Sequence, residues 1–233
     1  MSTLILSGST APLDTGITSA INKQPISGSV ECTFEGLAGD QQADRRHHGG
    51  RERALHYYPQ EHFVYWKSFW QAMGLSTSAT PFKPAAFGEN LSDTGLLEDQ
   101  VHIGDIFTLG EAVIQISQPR SPCFKLNIRF RYPQMSLVMQ TTGKTGWLFR
   151  VLQPGKVNAG DTLKLQEEEP TRLSVRGCLD TLYNQPYSEE NLRRLTDHPA
   201  LSEGWRQHAS NWLNNARADD WSRRLFNQIS SSN

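Results

Sequence analysis

The run Val101-His-Ile-Gly-Asp-Ile-Phe-Thr-Leu-Gly-Glu-Ala-Val-Ile-Gln-Ile-Ser117 sets two strand-like segments around Gly110-Glu111. Ala112, Ile114 and Ile116 share one face of an extended chain, and Val113, Gln115 and Ser117 share the other. That period of two marks a strand with one side toward a core. Further on, Gly160-Asp-Thr-Leu-Lys-Leu-Gln166 repeats the pattern, with Leu163 and Leu165 on one side. Short strands separated by glycine turns favour a barrel or sandwich over a parallel doubly wound sheet. The long helix–strand alternation of a Rossmann fold is missing, so the first 168 residues read as mainly β.

Two helices interrupt this region. Pro59 is suited to a first helical turn, and Phe63, Trp66, Trp70 and Met73 then recur at spacings of three and four, an apolar stripe. A second helix follows Pro133, with Met135, Val138 and Met139 inward. After the charged linker Glu167-Glu-Glu-Pro170 the composition shifts, and residues 171–233 read as a small all-α domain of three helices. Val175, Cys178, Leu179 and Leu182 form its first stripe, which makes Cys178 a buried structural thiol. Ser188 caps the second helix, ahead of Glu189, Glu190, Leu192 and Leu195. Leu201, Trp205, Ala209, Trp212 and Leu213 form the third stripe, with an extension at Trp221 and Leu225. A helical unit this small is marginal alone and is expected to dock on the barrel or on a partner, a homodimer being reasonable. The tail Ser230–Asn233 is expected to fray.

Charge is balanced, net −1 over 233 residues, which argues against a uniformly basic nucleic-acid binder. No run approaches the roughly 20 apolar residues of a membrane span, and the N-terminus lacks the pattern of a secretory signal. Three cysteines, Cys32, Cys123 and Cys178, fit neither a disulfide framework nor a zinc site, so a reducing cytoplasm is the expected compartment.

Three polar clusters stand out. In Gly39-Asp-Gln-Gln-Ala-Asp-Arg-Arg-His-His-Gly-Gly-Arg-Glu-Arg53, Gly49 and Gly50 permit positive φ and close backbone approach to a ligand. Arg45, Arg46, Arg51 and Arg53 surround them with forks suited to phosphate, although a solvated charged loop explains the same composition. Adjacent His47 and His48 point to opposite faces of a strand and cannot easily chelate one metal. Phe87-Gly-Glu-Asn-Leu91 could position a ligand, but a simple turn is the first reading. In Ser117-Gln-Pro-Arg-Ser-Pro-Cys-Phe-Lys-Leu126, Cys123 follows a strand in a loop stiffened by Pro119 and Pro122. Arg120 and Lys125 flank it, and cationic neighbours favour the thiolate that a soft metal or a nucleophilic role requires. From these residues alone the reaction stays open.

In this order the clusters resemble the MOSC domain family, named for the C-terminal domain of molybdenum cofactor sulfurases, in its bacterial YiiM-like branch. The matching words are Gly39–Asp44, His47–Gly50, Tyr58–His62, Phe87–Leu91, Gly104–Ile106 and Gln118–Lys125, and the three-helix tail fits the same branch. The resemblance implies a MOSC-type β-barrel with peripheral helices that binds the molybdenum–molybdopterin cofactor, with Cys123 as catalytic metal ligand. It also implies reduction of N-hydroxylated small molecules, including base analogues such as 6-N-hydroxylaminopurine, with electrons from a separate flavoprotein reductase. More loosely, the family is associated with sulfur carriage and pyridoxal phosphate. For the cofactor, the residues it points to are Ser19, Lys23, Arg45, His47, His48, Gly49, Gly50, Arg53, Arg120 and Lys125, with Asn90 for the pterin. The pattern departs at His56, where the resemblance leads one to expect cysteine. The chief rival is a carrier of persulfide sulfur or of cofactor on Cys123. A base- or nucleic-acid-binding loop at Arg45–Arg53 ranks third.

Overall fold

The computed structural model describes residues 2–44, 49–76 and 82–227. In chain order the strands are β1 Leu4–Ser7, β2 Ala11–Asp14, β3 Ile17–Ser19, β4 Gln24–Pro25, β5 Ser29–Thr33, β6 Gly36–Leu37, β7 Leu55–Pro59, β8 Leu91–Asp93, β9 Ile106–Leu109, β10 Ala112–Pro119, β11 Trp147–Gln153, β12 Gly155–Asn158 and β13 Lys164–Glu167. Eight of them form one curled sheet in the order β13-β9-β10-β11-β7-β8-β1-β4, antiparallel except at β7–β8. The lead-in to β13 meets β1: the Thr3 N–H donates to the Asp161 carbonyl at 2.9 Å, and the Leu163 N–H donates to Thr3 Oγ1 at 2.9 Å. These bonds bring the far sides of the sheet together, which gives the barrel-like shape.

β9 and β10 pair across Gly110-Glu111, with Ala112 opposite Leu109, and Gly110 takes the positive φ the turn needs. Ala112, Ile114 and Ile116 are buried on the inner face, as their period of two requires. Ser117, on the other face, is buried as well, and its hydroxyl donates to the Glu52 carbonyl at 2.6 Å. Leu165 departs from expectation: β13 is an edge strand whose four residues are all exposed, so Leu165 faces solvent.

The helices are α1 Glu61–Ala72, α2 Lys125–Phe130, α3 Met135–Thr142, α4 Val175–Tyr183, α5 Glu189–Thr196, α6 Glu203–Asn215 and α7 Ser222–Phe226. Phe63, Trp66 and Trp70 of α1 pack with Phe82, Phe87, Met135 and Met139 in a second core beside the barrel. Met73 lies past the last turn of α1 and is exposed, so the stripe ends at Trp70. Pro59 closes β7 rather than opening the helix, because it pairs with Asp93 of β8. The short helix α2 buries only Leu126 and Phe130, a single i, i+4 pair and too little of a stripe for the sequence to announce it.

Ser174 and Ser188 cap α4 and α5, accepting the N–H groups of Gly177 and Asn191. Leu179, Leu182, Leu192 and Leu195 share one core with Ile114 and Phe149 of the sheet. Each of these leucines is buried and contributes about 1.5–3 kcal/mol, so the helical part docks on the barrel. Cys178 sits in that core, and burial pushes its thiol well up. Among the described residues, no helix is long and apolar enough to cross a membrane. The expected fraying of the tail concerns Ser230–Asn233, outside the described residues.

Candidate functional site

A cavity of about 610 Å³ opens between the barrel rim and the C-terminal helices. β10 ends at Pro119 and α2 begins at Lys125, so the intervening loop delivers Cys123 to the cavity wall. Cys123 is half-buried, whereas Cys32 and Cys178 are fully buried. Burial raises the Cys32 thiol to about 12. Of the three sulfurs, only Cys123 can meet a ligand there.

Arg120 lies beside it. Its Nη1 donates to the Met139 sulfur at 2.9 Å, and its Nη2 reaches the Phe87 carbonyl at 3.5 Å. Neither acceptor is anionic. Burial lowers the Arg120 pKa, and the nearby Cys123 is the leading influence in the other direction. A guanidinium so placed favours a thiolate, or a bound anion, in the cavity. Lys125 also lines the wall and makes no ion pair among the described residues.

On the barrel side, Ser19, Lys23, Arg53 and Asn90 line the same cavity. Lys23 already has a carboxylate partner, since its ammonium is bound by Asp40 and both side chains are buried. Burial lowers the Lys23 pKa while Asp40 works the other way. Its charge is therefore largely matched before any phosphate arrives. Both amide hydrogens of Asn90 are in use, to the Leu6 carbonyl at 3.2 Å and Asp40 Oδ2 at 2.9 Å. Asn90 Oδ1 accepts the His56 N–H at 3.1 Å, which leaves a spare lone pair for a ligand. His56 is a cavity residue as well, and burial, then Arg120, hold its pKa well below the usual histidine range, so it is neutral.

Gly49 and Gly50 are not part of the cavity lining, although Gly50 does take a positive φ of 92°. Arg51 points elsewhere: it is exposed, 4.0 Å from Glu35, with its guanidinium over the Phe34 ring. Arg45, Arg46, His47 and His48 lie outside the described residues.

Behind this wall Glu89 makes the turn that the Phe87–Leu91 segment suggested. Its carboxyl accepts the N–H groups of Ala85 at 2.6 Å and Phe87 at 3.0 Å. Burial outweighs these bonds and raises its pKa to about 7. A raised carboxyl favours the protonated fold, so its contribution is intact below about pH 4.5 and is lost as the pH climbs to about 7. The stability of the wild type relative to Glu89→Gln is expected to be greater at pH 5 than at pH 8, by up to about 3 kcal/mol. Thermal unfolding at the two pH values checks this, and equal differences would reject it.

The opposite wall comes from a part of the chain in which the sequence marks no site residue. Tyr183, Trp205, His208, Trp221, Arg223 and Arg224 all come from the C-terminal helices or the segments joining them. His208 Nδ1 pairs with Asp219 Oδ2 at 2.5 Å, and its ring meets the Trp221 ring edge-on at 4.9 Å. The signal was present in Trp221-Ser-Arg-Arg224, two cations beside an aromatic ring, but Trp221 and Leu225 read as a packing extension.

A barrel-like sheet carries the cavity-facing cysteine in a proline-braced loop, and a docked helical tail closes the cavity. The MOSC domain profile matches residues 44–164, and this chain belongs to that family. A second profile, the YiiM-like 3-alpha helix domain, matches residues 173–216. Protein YiiM of Escherichia coli is 41% identical over 91% of this chain and 92% of its own length. YflK of Bacillus subtilis, an uncharacterized protein, is 40% identical over 82% of each chain. A Gibberella moniliformis protein named a reductase is 41% identical over 68% of this chain, but only 28% of its own length is matched. The crystal structure of Escherichia coli YiiM superposes with a TM-score of 0.81, covering 97% of this chain and 98% of that one.

Proposed function

We infer that the chain is a molybdenum cofactor-dependent reductase of N-hydroxylated small molecules, with Cys123 as the protein ligand to the metal. The observation that carries this reading is a single cavity-facing thiol set against the Arg120 guanidinium. Membership of the MOSC family, and a reductase name on one relative, support it.

The residues present fit such a group. Molybdenum held by pterin sulfurs takes another soft ligand, and thiolate is the softest one a protein offers. In this reading the remaining ligands would come with the pterin. Arg120, Lys125 and Arg53 would receive its phosphate, with Ser19 as a hydroxyl donor. Lys23, paired with Asp40, would contribute less. When bound, the cofactor supplies a two-electron reduction that no side chain here can perform.

The net reaction converts R–NH–OH, two electrons and two protons into R–NH2 and water, with a separate flavoprotein reductase as the electron source. Phe124, Leu126 and Trp205 would exclude water around the N–O bond. His208, held by Asp219, is the cavity's candidate donor for the proton that converts the departing hydroxyl to water. Aromatic walls at Tyr183 and Trp221 suit a planar base analogue such as 6-N-hydroxylaminopurine.

Protein purified from a host that makes the cofactor is expected to hold about one molybdenum and one pterin per chain. Metal analysis by mass spectrometry, with pterin fluorescence, checks this. Cysteine-bound sulfur released by cyanide, without metal, would instead indicate a carrier.

A further inference from the structure

Helix α7 grips the Cys123 loop on both sides of the cysteine. The Arg224 guanidinium donates to the Pro122 carbonyl and, through Nη2, to Gln140 Oε1 at 2.6 Å. Just beyond the cysteine, the Phe124 N–H donates to the Arg224 carbonyl at 2.8 Å. The Leu225 carbonyl receives Asn127 Nδ2 and Ser136 Oγ, both at 2.7 Å, which fastens the helix to α2 and α3 as well. Arg224 also lies over the rings of Tyr183, at 4.8 Å, and Trp221, at 5.1 Å. A five-residue helix cannot persist by its own hydrogen bonds, so these contacts hold it in place. The two family profiles match residues 44–164 and 173–216, so α7 lies outside both.

We propose that Arg224 is the positioning residue for Cys123, holding the 120–124 loop so that the sulfur stays at the cavity wall. A planar guanidinium serves two acceptors at once, here a loop carbonyl and a side chain of α3, whereas a lysine ammonium at the same place cannot match that fork. Removing the fork leaves the loop tied to α7 by the Phe124 N–H alone among the bonds described above. The functional meaning of this role rests on Cys123 being the metal ligand. The mechanical claim does not.

The test uses the full chain as wild type, Arg224→Gln and Arg224→Lys, with Cys123→Ala as the blank. Cys32 and Cys178 are 0% exposed, so iodoacetamide on native, cofactor-free protein reports Cys123. Loss of a cation alone leaves less thiolate and slows alkylation. Release of the loop speeds it. The glutamine variant is expected to alkylate at least about 5-fold faster at pH 8, and peptides spanning Phe124 to exchange amide hydrogens faster while β9–β11 peptides do not change. Lysine is expected to fall between the two. Expressed with cofactor supply, the glutamine variant is expected to hold at least about 5-fold less molybdenum.

A glutamine variant that alkylates at the wild-type rate or slower overturns the proposal. So does a lysine variant indistinguishable from wild type, and that comparison decides the matter if the glutamine variant does not fold. Should wild type itself hold no molybdenum, the reductase reading fails, while alkylation and exchange still decide the role of Arg224.

Discussion

Cys123→Ala is expected to fold as the wild type does and to hold at least about 10-fold less molybdenum, with no measurable reduction of hydroxylamine substrates. The fold should tolerate the change because the side chain is half-buried in a loop rather than in either core. Its loss there costs about 0.5 kcal/mol or less. The loop's own bonds survive, since the Cys123 carbonyl accepts the Leu126 N–H at 3.0 Å whatever the side chain. Cys123→Ser sharpens the comparison. It keeps nearly the same volume but offers a hard, protonated oxygen where the metal favours a soft anion. Both variants are therefore expected to fail alike, as read by metal content and circular dichroism. Full molybdenum content in the alanine protein would remove Cys123 from the role of ligand.

The second large effect concerns backbone. Gly146 precedes Trp147 of β11 with φ of 68°, and a Cβ built there lies 2.0 Å from the Tyr57 carbonyl oxygen. Tyr57 belongs to β7 and pairs with Trp147, so neither strand can retreat without breaking the centre of the sheet. The Gly146 N–H also donates to Glu98 Oε1 at 2.7 Å, and its carbonyl accepts the Arg120 N–H at 3.1 Å. Gly146→Ala should cost about 3–5 kcal/mol, lowering the melting temperature by roughly 10 °C, and should disturb the arginine beside Cys123. Gly160→Ala is the control. Its φ is 99°, but nothing lies within 4 Å of the added carbon, so it carries only the dihedral strain. Thermal unfolding that places the two variants within about 1 kcal/mol of each other would show that the strands yield, against this account.

What the chain reveals before folding depends on how local the cause is. The β9–β10 pair and the Ser188 cap were legible because alternation and a side-chain cap act within a few residues. The exposure of Leu165 is not legible in the same way, because alternation puts residues on one side of a strand without saying whether that side meets a core. Helix α2 is not legible because its buried face is a single i, i+4 pair, Leu126 and Phe130, and one pair in six residues does not establish a period. At the site, Cys123, Arg120 and Lys125 are adjacent in sequence and read together. Trp221 and Arg224 lie about a hundred residues away, and only docking of the helices on the barrel brings them to the same cavity. Conversely, Arg51 looked like part of a phosphate-binding loop until its neighbours, Phe34 and Glu35, accounted for it.

Part of one wall of the cavity, from Trp221 to Arg224, is made by residues more than fifty positions downstream of the last barrel strand, and this has a bearing on biosynthesis. A nascent chain whose sheet has already formed on the ribosome has the cysteine but not the enclosure. Only when Arg224 has emerged and α7 has settled does the pocket take shape. Any ligand that this wall encloses would thus meet its full site only after Arg224 has left the ribosome, and not while the barrel is still forming.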